Sequence, residues 1–141
     1  MLGRTFEEYR RYFLLEPQEL IGKTVLDVAG GVSSFCAEAN NLGIKVTALD
    51  PIYSLPREKI RERFDPDLES VHRTIGLVPT YSWGFYKKSG LHAGVTRARI
   101  GYFFLGFRKP SAALRRGRVA SMPFADGEFD LTLVSYLLFA Y

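Results

Sequence analysis

The chain has 141 residues, 47% of them hydrophobic and 24% charged, with a formal net charge of +4. That length holds one domain at most, and that composition excludes intrinsic disorder. A single cysteine, Cys36, excludes an intrachain disulfide and points to a reducing, cytoplasmic setting, while the mild positive charge permits nucleic-acid contact without requiring it.

The opening residues, MLGRTFEEYRR, lack the apolar core of a signal peptide. Thr5-Phe6-Glu7-Glu8 is a capping box, in which hydroxyl and carboxylate each satisfy an orphan N–H group. The spacing predicts a helix to about Leu15, with Phe6, Tyr9 and Phe13 on one face and Pro17 as its stop. Such a helix packs on a sheet edge.

Lys23 to Tyr53 reads as strand, glycine turn, helix, strand. Thr24–Val28 is β-branched and apolar, and Ala29-Gly30-Gly31 follows, where Cβ atoms are small or absent. Ser33 or Ser34 can cap a helix carrying Phe35, Ala39 and Leu42, Gly43 stops it, and Lys45–Leu49 is a second strand ending at Asp50. This is a βαβ unit with parallel strands and a right-handed crossover. Ligands of such sheets bind at the carboxyl ends of the strands, where Asp27, Gly30, Gly31 and Asp50 lie.

The turn carries further chemistry. Gly30 and Gly31 let the backbone approach a ligand closely. Asp50 stands about 20 residues past the turn, where an acid accepts from ribose hydroxyls, so an adenosine-type ligand is expected. Ser33 and its neighbours fill the place of the last glycine of a dinucleotide fingerprint. Asp27, just ahead of the turn, repels a pyrophosphate and suits a ligand with an ammonium or sulfonium charge.

Beyond Asp50-Pro51 the pattern changes. Arg57 to Phe64 reads as a short charged helix, a second helix carries Leu68, Val71 and Ile75, and Ile100, Phe103, Phe104 and Phe107 return to helical spacing. Residues 54–117 therefore read as a helical insertion within a single domain, 1–141. Arg97, Arg99, Arg108, Lys109, Arg115, Arg116 and Arg118 lie near aromatics, as in grooves that bind single strands. Rings at helical spacing read instead as core and the arginines as a solvated face, so no nucleic-acid partner is expected. His72 and His92 have no ligand-spaced partners, and no metal is expected. Val119 to Ser121 is a short third strand. Phe129 to Leu138 is a fourth, whose near-continuous apolar run implies burial on both faces. The longest apolar run, Leu131 to Tyr141, is too short to cross a bilayer as a helix, so no membrane partner is expected.

VLDVAGGVSSF and VTALDPIY resemble the first two motifs of class I S-adenosylmethionine-dependent methyltransferases. SMPFADGEFDLTLVSYLLF, from Ser121 to Phe139, resembles a later motif that feeds the fourth strand. The resemblance covers nearly all of the chain and the N-terminal half of that fold. It departs from the pattern at Ala29 and Ser33, which stand in glycine positions, and near Arg118 to Ala120, where an adenine-binding acid is missing.

The resemblance implies an α/β, Rossmann-like, doubly wound and mostly parallel sheet of order 3-2-1-4, truncated after the fourth strand. The edge of that strand would then be open to self-association or to a completing partner. The resemblance further implies S-adenosylmethionine as cofactor, held by Asp27, Ala29, Gly30, Gly31, Asp50, Pro51, Ile52, Ser121, Met122 and Ser135. Ser135 and Tyr136 face the acceptor side, and the segment lacks the Asn/Asp-Pro-Pro-Tyr type that methylates exocyclic amines of bases. No residue is assignable as a catalytic base, and the acceptor is open. A non-catalytic cofactor-binding remnant or interaction module is the alternative; a nicotinamide-dependent oxidoreductase is disfavoured by Asp27 and the missing glycine.

Overall fold

The computed structural model describes residues 4–63 and 113–135. Within them, four strands form one all-parallel sheet: β1 (Thr24–Val28), β2 (Lys45–Leu49), β3 (Leu114–Arg115) and β4 (Leu131–Val134), in the order β3-β2-β1-β4. Three helices precede or join them: α1 (Phe6–Tyr12), α2 (Pro17–Leu20) and α3 (Phe35–Asn41). A 3₁₀ turn, Pro51–Ser54, follows β2, and residues 57–63 are helical.

The capping box forms as expected: the Thr5 N–H donates to Glu8 Oε2 at 2.8 Å, and the Glu8 N–H donates to Thr5 Oγ1 at 3.3 Å. The helix ends at Tyr12 rather than near Leu15. Leu14 turns left-handed, φ 52°, and the Leu15 N–H reaches back to the Arg10 carbonyl at 2.9 Å. That closure is a Schellman turn, which satisfies the last carbonyls of α1 before Pro17 is reached. Pro17 opens α2 instead, at a position where its missing N–H costs nothing. A second Schellman turn ends α3, with Gly43 at φ 82° and the Ile44 N–H on the Ala39 carbonyl at 3.0 Å. Leu42 sits at that cap and is exposed, not on the buried face that Phe35 and Ala39 share.

The register sets the two faces of the sheet. Val25 pairs with Val46 and Leu131, and Asp27 with Ala48 and Leu133, so all six look the same way. The apolar members of this set join Phe6, Tyr9, Phe35 and Ala39 of α1 and α3 in the main core. Tyr9 stacks on Phe35 with centroids 4.1 Å apart and planes 6° from parallel, and Phe6 stacks on Phe35 at 5.8 Å. Such ring pairs contribute about 0.5–1.5 kcal/mol beyond area burial. The opposite face presents Leu26, Val28 and Leu49, covered by Phe124 and Phe129.

Two strands lie elsewhere than the apolar pattern suggests. β3 is Leu114–Arg115, inside the stretch 54–117 that reads as insertion. The Ala48 N–H donates to the Ala113 carbonyl at 2.7 Å, and the Asp50 N–H to the Arg115 carbonyl at 3.1 Å. Val119 to Ser121 is a turn closed by an antiparallel bridge between Arg118 and Ser121. β4 is shorter than the run Phe129 to Leu138, and it is buried on one face only. Leu133 is core while Thr132 and Val134 are exposed, and residues from Tyr136 on lie outside the described set. The helices expected around Val71 and Phe103, and both histidines, also lie outside it. Among the described residues no helix is long and apolar enough to cross a membrane.

Candidate functional site at the carboxyl ends of β1 and β2

The turn after β1 is built from both strands. Ala29 leaves the strand in the left-handed region, φ 59°, with its N–H on the Leu49 carbonyl at 2.8 Å. An alanine there costs about 1–2 kcal/mol that a glycine would not. Gly31 is also left-handed, φ 54°, and both its peptide groups are held from beyond β2. Its N–H donates to Asp50 Oδ2 at 3.0 Å, and its carbonyl accepts from the Tyr53 hydroxyl at 2.8 Å. The other Asp50 oxygen takes the Ile52 N–H at 2.9 Å, so Asp50 caps the 3₁₀ turn and clamps the glycine turn at once. Gly30 has no space for a side chain. A Cβ there would stand 2.7 Å from Asp27 Oδ2 and 3.0 Å from Tyr53 Oη. Its lack of a Cβ makes room for these two side chains.

Asp27 is fully buried. Its Oδ1 accepts from the Tyr9 hydroxyl at 2.9 Å, and its Oδ2 has no hydrogen-bond partner among the described residues. Burial pushes this carboxyl up to about 7, and nearby Asp50 adds to the rise against the pull of the Tyr9 hydrogen bond. Burial, with Asp27 alongside, also raises the Tyr9 and Tyr53 hydroxyls and pushes the Cys36 thiol up to about 12. Burial thus favours the neutral forms of Tyr9, Tyr53 and Cys36 and raises the proton affinity of Asp27.

Several N–H groups at the entry to α3 are already engaged. The Ser33 N–H donates to the Gly30 carbonyl at 3.1 Å, the Ser34 N–H to the Arg4 carbonyl at 2.9 Å, and the Phe35 N–H to Ser33 Oγ at 3.1 Å. Ser33 Oγ also donates to the Arg4 carbonyl at 2.7 Å, tying the segment ahead of α1 over this helix start. These three N–H groups, with that of Gly31, are therefore not available to cradle a pyrophosphate.

Of the residues singled out in the sequence, Asp27, Ala29, Gly30, Gly31 and Asp50 come together here. Pro51 and Ile52 begin the 3₁₀ turn beside them, Pro51 exposed and Ile52 half-buried. Ser135 follows β4 directly; since Val28 pairs with Val134, it lies alongside Ala29. Ser121 and Met122 are exposed on the turn after β3 and share neither a hydrogen bond nor a core cluster with the glycine turn among the described residues. Tyr9, expected from the sequence only as part of an apolar helix face, and Tyr53, given no role there, tie the site together. The signal was present as a hydroxyl on an otherwise apolar helix face and a tyrosine three residues past Asp50. Among the described residues no three His, Cys, Asp or Glu side chains gather to hold a metal.

The parallel order β3-β2-β1-β4, with a glycine turn leaving β1 and an acid closing β2, makes this an α/β chain of Rossmann-like architecture. Along its whole length the chain is similar to the uncharacterized protein MJ0045 of Methanocaldococcus jannaschii, with 36% identity over 146 aligned positions; it spans 64% of that protein's length. No family model matches the chain, and no solved structure matches it.

Proposed function

We propose that the chain is the cofactor-binding half of an S-adenosylmethionine-dependent methyltransferase of cytoplasmic location. The observation that carries this reading is the pair of carboxylates around the glycine turn. Asp27 offers a buried oxygen with no partner among the described residues, and Asp50 is aligned by two backbone N–H groups. A carboxylate so aligned keeps free lone pairs for the two hydroxyls of a ribose. Two acids beside the turn disfavour a pyrophosphate and favour a ligand with positive charge. An adenosine cofactor with a cationic sulfur fits both demands. When bound, it would supply an activated methyl group, and the chain's own residues would contribute binding and orientation.

In this reading Asp50 holds the ribose, Gly31 and Ala29 line the cofactor, Asp27 balances its charge, and Ser135 looks toward the acceptor. Calorimetric titration with S-adenosylmethionine, S-adenosylhomocysteine and NAD tests the proposal. Binding of the first two without the third is expected; binding of NAD alone, or of none, overturns it. Transfer of labelled methyl to a cell extract then separates an enzyme from a binding module.

A further inference from the structure

The short strand β3 brings charge to the ligand end of the sheet. It ends at Arg115, whose register partner Leu49 ends β2 and whose carbonyl accepts from the Asp50 N–H at 3.1 Å. Arg115, Arg116 and Arg118 therefore cluster at the carboxyl edge of the sheet, and all three are exposed. Among the described residues none of the three side chains has an ion pair or a hydrogen bond. The helix at 57–63 extends the cluster. Its Ile60 is fully buried and packs in one group with Leu114, the residue before Arg115. Its charged side chains are Arg57, Lys59, Arg61 and Arg63 against Glu58 and Glu62. The three arginines and this helix together carry a net charge of +5, where the whole chain has +4. The acids that follow in sequence are kept away. At the amino end of β1, Asp130 Oδ2 accepts from the Thr24 N–H at 2.7 Å and the Glu128 carbonyl takes the Thr24 hydroxyl at 3.3 Å. Arg115 is level with Val28 at the other end, about 13 Å along the strand. That is farther than the ~8 Å over which charges act in physiological salt.

We propose that this edge binds the phosphate backbone of a nucleic acid. The inference goes beyond the methyltransferase reading and stands without it. Guanidinium groups match phosphate oxygens with paired N–H donors and stay charged at any physiological pH. One exposed ion pair contributes only about 0–1 kcal/mol, so a lone small anion would be held weakly here. A strand with a phosphate at every nucleotide engages several arginines at once and gains from the counterions it releases. An anionic membrane fits less well. Helices that lie on bilayers insert an apolar face, and Ile60 of this helix is already buried in the core. Along the chain these arginines read as a solvated face beside core rings. β3 gathers three of them at the end of a parallel sheet, where ligands bind.

Fluorescence anisotropy of labelled oligouridylate and oligothymidylate, across a series of salt concentrations, tests the proposal. Binding of either is expected, with an affinity that falls as salt rises. Arg116→Gln together with Arg118→Gln should weaken it about tenfold near physiological salt. The same pair should reduce the slope of log K against log salt by about 1.4, at roughly 0.7 for each phosphate contact in a single strand. Lys23→Gln together with Lys45→Gln removes the same charge from the amino end of the sheet and should leave binding nearly unchanged. All four positions are exposed, so both variants keep the buried contacts of the parent. Equal loss from the two pairs of substitutions would mean attraction to overall charge alone, and overturns the proposal. So does failure of both oligonucleotides to bind, or competition by polyglutamate as effective as that by polyuridylate. Binding to phosphatidylserine vesicles in place of the oligonucleotides overturns it as well.

Discussion

The Tyr9 hydroxyl donates to the Asp27 carboxyl at 2.9 Å, with both groups buried, and so fastens α1 to the central strand β1. A hydrogen bond to a buried, partly charged acceptor contributes about 1.5–3 kcal/mol. Tyr9→Phe keeps the ring stacked on Phe35 and removes that bond alone. Stability should fall by an amount within that range. A double-mutant cycle with Asp27→Asn, read by chemical denaturation, should return a coupling well above the ~0.5 kcal/mol that independent sites show.

The same carboxyl ties stability to pH. Folded Asp27 titrates at about 7, against 3.8 for an ordinary aspartate. The folded form therefore holds this proton more tightly than the unfolded form. Its contribution is complete below about pH 4, is lost as pH rises toward 7, and changes little beyond. The slope is at most about 1.4 kcal/mol per pH unit. Asp27→Asn has no proton to lose. Melts across this window should show a flatter profile for the variant, and greater stability than the parent at pH 8. A parallel decline in both proteins would place the titrating group elsewhere.

Gly30→Ala should destabilise the chain by about 1–3 kcal/mol, the usual cost of overpacking. The added Cβ would press on Asp27 Oδ2, which Tyr9 holds in place. Removing the other neighbour, the Tyr53 hydroxyl, should recover part of the loss. A thermal melt of Gly30→Ala with and without Tyr53→Phe checks both statements.

These contacts mark where the sequence can be read and where it cannot. The capping box of Thr5 and Glu8 and the stop at Gly43 are local, and their chemistry is complete within a few residues. The acids flanking the turn follow from strand–turn–strand order, so Asp27 and Asp50 were legible. Leu114–Arg115 was not. Two residues carry no period, and their pairing is decided by the open edge of β2, distant in sequence. Val119 to Ser121 looked more like a strand but had no edge to join. The Tyr9–Asp27 bond was hidden for a related reason: spacing placed Tyr9 on a buried face without saying which strand that face meets.

Asp50→Ala removes the acceptor for two backbone N–H groups, one of which is buried. A loss of stability is expected whatever the ligand. On the methyltransferase reading, affinity for S-adenosylhomocysteine should also fall by about ten- to a hundred-fold, matching the loss of roughly 1.5–3 kcal/mol of charge-assisted hydrogen bonding. Both are measured on one preparation under conditions where the variant is folded. Undiminished affinity would leave Asp50 with a capping role only.

Cys36 offers a probe that needs no substitution. The thiol is buried, donates to the Val46 carbonyl at 3.4 Å, and is pushed up to about 12, chiefly by burial. Thiolate is the reactive form, so a disulfide reagent should label the native chain only as fast as α3 opens from the sheet. Fast labelling at neutral pH would mean that this helix is not docked as described.

The order of the strands also sets a timetable for synthesis. β1 is the central strand and is made before the other three. Thr24 meets Lys45 early, but its partner on the other side, Asp130, is 106 residues away along the chain. Closing the longer loop costs only about 1.4 kcal/mol more than closing the shorter one. Delay is the larger effect. At about 5–20 residues per second, a ribosome needs roughly 4–16 s to carry the chain from the end of β2 to the start of β4. Through that interval α1, β1, α3 and β2 can assemble, while the edge of β1 that will receive β4 keeps its N–H and C=O groups bare. The strand that ends most enclosed is the one a nascent chain must guard longest against pairing with a neighbour.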